Sequence, residues 1–278
     1  MKLNIQVFSS NLVKKDNSLW QPRKHNFKQT SYPDDGNDNC YDIEDHSFWF
    51  RHRNLCIAEL IALFPPPGIL LDIGGGNGYV SSYLNKRGIR TILLEPNPIG
   101  IINARKRNVK YCIQADFDEV KFKKNSLPAI GIFDVLEHIE KDRRLLQKLY
   151  DALIPGGKLY ITVPAFNFLW SAQDNYAQHY RRYSMKHIIK LLNLFHFTVD
   201  YSTYFFSIFF MGILFLRSLP YRLGLSKKYT TEQFKKEMSI EFGVIDPFIL
   251  SLFKWELNHI KAKKNIPIGS SIILVAHK

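Results

Sequence analysis

Cysteine is nearly absent from this chain. Cys40, Cys56 and Cys112 stand far apart with no CxxC pair, so the sequence offers neither a disulfide framework nor a zinc ribbon. Long apolar runs are missing as well. The longest, Tyr204 to Leu216, is broken by Ser207 and Gly212 and falls short of the roughly 20 residues that a membrane-spanning helix needs. Met1 to Asn17 lacks the continuous apolar segment of a signal peptide, because Asn11, Lys14 and Lys15 interrupt it. A reducing, cytoplasmic setting is therefore expected. Glycine (15) and proline (13) are near average and no fixed-period repeat occurs, which removes collagen-like and low-complexity readings. Acidic residues are in deficit: 25 against 38 lysines and arginines, a formal charge of +13. That balance implies an anionic partner, whether nucleic acid, a membrane surface or a phosphorylated substrate. What is present is core-forming material, 46% hydrophobic over 278 residues, enough for one domain with elaborations.

The chain divides by pattern. Residues 1–45 are polar and turn-rich, ending in the loop-like Ser31 to Asp38, and read as an N-terminal extension such as a hairpin. From His46 to Phe64 apolar residues recur at helical spacing until Pro65-Pro66-Pro67-Gly68 stops them. Short apolar runs then alternate with helical segments: strands at Ile69 to Ile73, Thr91 to Leu94, Tyr111 to Ile113, Ala129 to Phe133 and Lys158 to Val163, and a sixth at Phe197 to Thr203. This alternation predicts an α/β core over 46–204, a parallel sheet covered by helices on both faces. The last strand, Ser271 to Ala276, lies in the segment 266–278. Between them 205–265 is a hydrophobic and basic insertion, with a helix that Asp246-Pro247 should open and that carries a stripe of Ile249, Leu252, Phe253, Leu257 and Ile260.

The most informative segment is Leu71-Asp72-Ile73-Gly74-Gly75-Gly76-Asn77-Gly78-Tyr79-Val80: a strand end, a glycine cluster and a helix start. A dinucleotide fingerprint beginning at Gly74 and Gly76 needs its third glycine where Tyr79 stands. The GxGxG spacing, with Asp72 ahead of it, instead resembles the first motif of the class I S-adenosylmethionine-dependent methyltransferases. Glu95 in Leu93-Leu94-Glu95-Pro96-Asn97, Asp116-Phe117 after the third strand, Phe133-Asp134-Val135-Leu136-Glu137-His138-Ile139 after the fourth, and Leu153-Ile154-Pro155-Gly156-Gly157 before the fifth follow in the family's order. The resemblance implies a Rossmann-like fold with a seven-stranded, mostly parallel sheet and a helical insertion before the last strand. It implies S-adenosylmethionine held by Asp72, Gly74, Gly76, Gly78, Glu95 (ribose hydroxyls), Asp116 (adenine amino group), Phe117 (ring cover) and Phe133, with no metal. Pro128 departs from the Asp that many relatives carry. Ser47 to Asn54, Val163 to Ser171, Asp174 and His179 to Tyr183 narrow the likeness to a bacterial subgroup found in cell-surface glycan or lipid contexts. The similarity runs from about residue 31 to the C-terminus.

Methyl transfer to a hydroxyl or ammonium needs a base. His138 is the first candidate, beyond the fourth strand and with a side chain that titrates near neutrality; His179, with Asp174 behind it, is the second. The alternative is that Glu137 and His138 cap the next helix. Arg181 and Arg182 either fork onto an acceptor phosphate or carboxylate or pair with Asp174 or Glu137. Trp49, Phe50 and Trp170 either wall an acceptor pocket or pack as lid and core. Arg105, Lys106 and Arg107 read as a solvated helix face. The expected activity is methyl transfer to an O or N atom of a small-molecule, glycan or lipid-linked acceptor. A nucleic-acid methyltransferase is disfavoured, because the Asn/Asp-Pro-Pro-Tyr/Phe motif of amino-directed base methylases is replaced by Phe133-Asp134-Val135-Leu136 and no RNA-binding signature is visible. A non-catalytic binding protein that kept the fold is the other alternative. Finally, the Tyr204 to Leu216 run, continued by Arg217, Pro220, Tyr221 and Arg222, suits either a buried helix over the acceptor side or shallow contact with an anionic membrane at its inner face.

Overall fold

The computed structural model describes residues 3–24, 36–240 and 247–278. Its centre is a sheet of β1 (Leu12–Lys14), β2 (Leu19–Pro22), β3 (Leu70–Ile73), β4 (Thr91–Leu94), β5 (Cys112–Ile113), β6 (Leu127–Phe133), β7 (Leu153–Pro164), β8 (Thr198–Phe205) and β9 (Ser271–His277). The spatial order is β1-β2-β5-β4-β3-β6-β7-β9-β8. β5, β4, β3, β6 and β7 run parallel, and β9 inserts antiparallel between β7 and β8. Helices α1 (Gly36–Glu44), α2 (Phe48–Leu63), α3 (Tyr79–Lys86), α4 (Pro98–Lys106), α5 (Asp142–Ala152), α6 (Ala172–Tyr176) and α7 (Met185–Leu194) fill the connections. The insertion adds α8 (Ser207–Ile213), a π turn at Leu214–Ser218, α9 (Leu219–Arg222), α10 (Thr231–Met238) and α11 (Pro247–Lys261).

Two apolar cores explain why these runs are strands. Along β7, Leu159, Ile161 and Val163 enter one core while Tyr160 enters the other, and along β9 Ile272 and Leu274 oppose Ile273 and Val275. This is the period-two alternation of a sheet buried on both faces. α5 and α7 cover the first face with Leu145, Leu149, Ile188 and Leu192; α2 and α11 cover the second with Ile57, Ile61, Phe253 and Ile260.

The expected class is observed, with a different strand count. The sheet has nine strands rather than seven because the N-terminal extension is a hairpin, β1–β2, whose second strand pairs parallel with β5 through Leu19 and Trp20. Ile5, Phe8, Leu12 and Trp20 are buried beneath it, so the polar composition of this segment conceals an apolar face. Pro128 falls inside β6, where the register with β7 shifts between Leu127 and Ala129; the irregularity removes the need for its missing N–H. Asp246 lies outside the described residues. Among the described residues no helix is long and apolar enough to cross a membrane.

A buried carboxylate helps to join the insertion to the core. Glu256 on α11 accepts from the Phe206 N–H (3.0 Å) and the Ser207 N–H (2.5 Å) at the start of α8 and lies 2.8 Å from His52 Nε2 on α2. Burial alone would raise this carboxyl, yet His52 and Ser207 hold it below the ordinary value. The His52 ring stacks on Phe253 at 4.0 Å.

Candidate active site

The loops that follow β3, β4, β5, β6 and β7 gather at the carboxyl edge of the parallel strands, where open α/β sheets bind their ligands. The glycine loop joins β3 to α3. Gly76 (φ +52°) gives its N–H to Glu95 Oε2 at 2.9 Å. Gly78 (φ +71°) precedes α3, and a Cβ there would come within 2.7 Å of Ala104 on α4. Both positions need the left-handed backbone that glycine adopts without strain. Asp72 lies beneath the loop: its Oδ2 accepts from Ser81 Oγ at 2.7 Å, a Cβ on Gly75 would come 2.8 Å from that oxygen, and burial pushes the carboxyl up to about 6. It holds the loop on α3.

Glu95 is buried at the end of β4 and also accepts from the Asn97 N–H at 2.8 Å. Burial outweighs these two amides and pushes its carboxyl up to about 7. Asp116 caps the 3-10 turn Phe117–Glu119, its Oδ1 accepting from the Asp118 N–H at 2.8 Å. Phe117 sits in the first core, stacked on Phe122 at 5.2 Å, and Phe133 sits in the second, over the space that Gly131 leaves. Gly74, Gly76, Gly78, Glu95 and Asp116 thus stand at one edge of the sheet, after the adjacent strands β3, β4 and β5. Asp72, Phe117 and Phe133 support it from below.

Sequence reasoning missed the cover of this edge. α1 lies over the glycine loop: Asn77 Nδ2 donates to the Asn37 carbonyl at 2.7 Å, and Arg107 binds the Glu44 carboxylate, Asp45 (3.0 Å) and the Tyr41 carbonyl (2.9 Å). Arg107 is therefore not part of a solvated face. Its guanidinium is buried between the Tyr41 and Tyr79 rings, 4.5 and 5.1 Å from their centroids. Against these cations, burial still leaves Glu44 above the usual carboxylate range.

On the acceptor side, Asp134 follows β6 with a left-handed φ of +56°, a conformation that costs energy for a residue with a Cβ. Its carboxylate pairs with Arg53 of α2 and accepts from Thr162 Oγ1 at 3.0 Å, while Arg53 Nη2 donates to the Phe133 carbonyl at 2.7 Å. Both residues fall within segments that the sequence singled out, yet nothing near either announces the other as its partner. Glu137 and His138 occupy the 3-10 turn Leu136–His138, and His138 packs against His179 with ring centroids 4.7 Å apart. Burial and the adjacent His179 push His138 down to about 3; burial and Asp134 push the Glu137 carboxyl well above its ordinary value. His179 Nδ1 lies 2.9 Å from Asp174 Oδ1, so the expected order of His179 with Asp174 behind it is present in the geometry.

The two arginines are committed elsewhere. Arg182 forks onto Asp174 (Nε to Oδ1 2.7 Å, Nη2 to Oδ2 3.0 Å), and Arg181 binds Asp142 (2.8 Å) and the Glu140 carbonyl (2.7 Å). Each is thus paired with a buried carboxylate, the pairing that the sequence offered as the alternative to an acceptor role. Burial raises Asp174, but His179 and Arg182 outweigh it and hold the carboxyl near 2. Trp49 stacks on Phe206 at 5.2 Å, Phe50 meets Trp49 edge-on at 5.1 Å, and Trp170 Nε1 donates to Asn175 Oδ1 at 3.0 Å, so all three pack against protein. No metal is expected from the scattered cysteines, yet Glu137, His138 and His179 each bring one ligand atom to within 4.8 Å of the others.

Comparisons with known proteins bear on the family and the fold. Residues 48–202 match the sequence profile of a family described as a methyltransferase domain. Phosphoethanolamine N-methyltransferase 2 of Caenorhabditis elegans is 32% identical over 119 residues, which is 40% of this chain and 27% of that protein. The ubiquinone/menaquinone biosynthesis C-methyltransferase UbiE of Wigglesworthia glossinidia brevipalpis is 26% identical over 166 residues, 54% of this chain and 64% of that one. The chain therefore spans less than two thirds of either relative. Among solved structures, Haemonchus contortus phosphoethanolamine N-methyltransferase 2 in complex with S-adenosyl-L-methionine superposes with a TM-score of 0.56 at 22% identity, covering 90% of this chain and 58% of that one.

Proposed function

This chain belongs to the methyltransferase family that its residues 48–202 match, and on that premise we propose that it transfers a methyl group from S-adenosylmethionine to an oxygen or nitrogen atom of a small acceptor. The observation that carries this reading is the meeting of two groups at one sheet edge. The glycine loop, Glu95 and Asp116 follow β3, β4 and β5, and Glu137, His138 and His179 follow β6 and β7. The residues present fit the cofactor: Gly76, which has no side chain, lets a ligand approach the main chain, and the buried Glu95 carboxylate suits two ribose hydroxyls. The cofactor supplies an activated methyl on sulfur. The protein's task is alignment of acceptor and methyl carbon, worth about 7–11 kcal/mol.

We place His179 ahead of His138 as the base. A base works best with a pKa near the working pH, and His138 at about 3 is too weak. His179, oriented by Asp174, has the base-and-orienter arrangement that stabilises an imidazolium. Calorimetry with S-adenosylmethionine, followed by transfer of a labelled methyl into cell extract, tests the proposal. Binding and a labelled small molecule are expected; a folded protein that binds no cofactor overturns it.

A lipid-linked acceptor is favoured by one further observation. The Tyr204 to Leu216 run is neither a single buried helix nor fully solvated: Phe205, Phe206 and Phe210 are buried, while Met211, Phe215, Leu216, Leu223 and Leu225 are each more than half exposed. Arg222, Lys227 and Lys228 flank them, whereas Arg217 is engaged by Glu237 at 2.6 Å. An apolar face flanked by cations suits the anionic surface of a membrane. Flotation with phosphatidylglycerol vesicles at low salt reads this directly, and wild type remaining at the bottom of the gradient rejects it.

A further inference from the structure

We infer that Glu137, His138 and His179 form a binding site for a divalent first-row transition-metal ion on the acceptor side. This deepens the methyl-transfer reading and rests on it only for the ion's use, not for its binding. The three ligand atoms lie within 4.8 Å of one another. Atoms sharing one ion sit about 2.0–2.2 Å from it, hence up to about 4.4 Å apart, so small side-chain rotations close the site. The two segments that carry the ligands are tied together, because the Tyr180 N–H donates to the Glu137 carbonyl at 2.8 Å.

A second observation points to a cation. Glu137 is 1% exposed, and its Oε2 has no hydrogen-bond partner among the described residues. A buried carboxylate oxygen without a donor is costly, and a metal ion satisfies it. The orientation of His179 fits as well. Asp174 holds Nδ1, which turns Nε2 outward, and Arg182 braces Asp174 from its far side. A carboxylate behind a histidine in this way is the usual support of a metal ligand. Asp134 is outside the set, because Arg53 and Thr162 engage its two oxygens.

Two imidazoles with one carboxylate select manganese, iron, cobalt or zinc over magnesium or calcium, which take oxygen ligands. Three protein ligands leave coordination positions open, as catalytic sites do. The ligand class for those positions is a hydroxyl oxygen of the acceptor. Held on the ion, the hydroxyl releases its proton to water more readily. Its oxygen then bonds to the methyl carbon while the carbon–sulfur bond breaks and the electron pair leaves with the neutral thioether. An imidazole nitrogen on the ion cannot also take that proton, so this use of His179 and its use as a base are mutually exclusive.

Protein stripped with chelator and desalted is titrated with Co2+, followed by calorimetry and by visible absorption. One ion per chain is expected, weakened at least tenfold in each of Glu137→Gln, His138→Ala and His179→Ala. S-adenosylmethionine titrations of the same variants, with wild-type affinity expected, show that they are folded; loss of cofactor binding by wild type would refute the methyl-transfer reading and leave the metal site standing. A measurement without variants runs beside these: Mn2+ should broaden the imidazole proton resonances of His138 and His179 before those of the remaining histidines. No Co2+ uptake by wild type, unchanged uptake in all three variants, or broadening elsewhere first would each overturn the inference.

Discussion

The cofactor side and the acceptor side of the sheet are built on different principles. From β3 to β5 the working groups are backbone amides and strand-end carboxylates within a few residues of one another in sequence or on adjacent strands, as with Gly76 and Glu95. Beyond β6 the groups meet in pairs of distant origin: Arg53 with Asp134, Glu137 with His179, and His52 with Glu256 across more than two hundred residues. A ligand held by backbone geometry demands particular residues at fixed spacing. A ligand met by buried side chains demands only that packing bring them together.

Substitutions can break that contrast. The largest effect is expected for Glu256→Ala, which leaves the first amides of α8 without their acceptor and strands His52. Removing one partner of such a buried cluster costs about 3–5 kcal/mol, read as a lower denaturant midpoint. If the two sides are independent, the cofactor dissociation constant of the folded variant stays at the wild-type value; a large change would show that the insertion supports the cofactor side. Glu95→Ala should do the reverse, weakening S-adenosylmethionine by roughly 1.5–3 kcal/mol, about 10- to 150-fold in calorimetry.

A smaller, graded effect comes from pH. The free protein's Glu95 binds a proton up to about pH 7, whereas ribose hydroxyls donate to the carboxylate. Cofactor binding must then expel that proton below pH 7. Affinity should be flat above pH 8 and fall toward about tenfold per unit below pH 7, with proton release visible as a dependence on buffer ionisation enthalpy. A pH-independent affinity from pH 5 to 8 would mean that Glu95 is already ionised in the free protein. Least of all, Leu216→Ser should change stability by within about 0.5 kcal/mol while reducing vesicle flotation.

The same contrast explains what the sequence disclosed. The motif order from Gly74 to Gly157 fixes the parallel strands and their loops, since each strand end carries its own glycine or carboxylate. The hairpin β1–β2 was legible from its turns but not its place in the sheet, because Ile5, Leu12 and Trp20 are too sparse to show a buried period. Arg107 read as one more surface cation, since nothing near it in sequence announces Glu44 or Tyr41. Arg182 meets Asp174, one of the two partners that the sequence offered, whereas Arg181 reaches Asp142 rather than Glu137. Spacing can reveal that a residue is needed. It does not reveal which of two oppositely charged partners will reach it first.

The position of β9 has a consequence for how the chain is made. β8 touches no strand but β9, and more than sixty residues separate the end of one from the start of the other. On the ribosome, β8 and the open edge of β7 must wait for the whole insertion to emerge before either finds its neighbour. During that interval the nascent chain displays two unpaired strand edges rich in isoleucine, valine and tyrosine, the kind of surface that recruits other chains. Early closure of α8 and α11 over Phe205 and Phe206 would shield them, giving the insertion a part in synthesis before it has any in turnover.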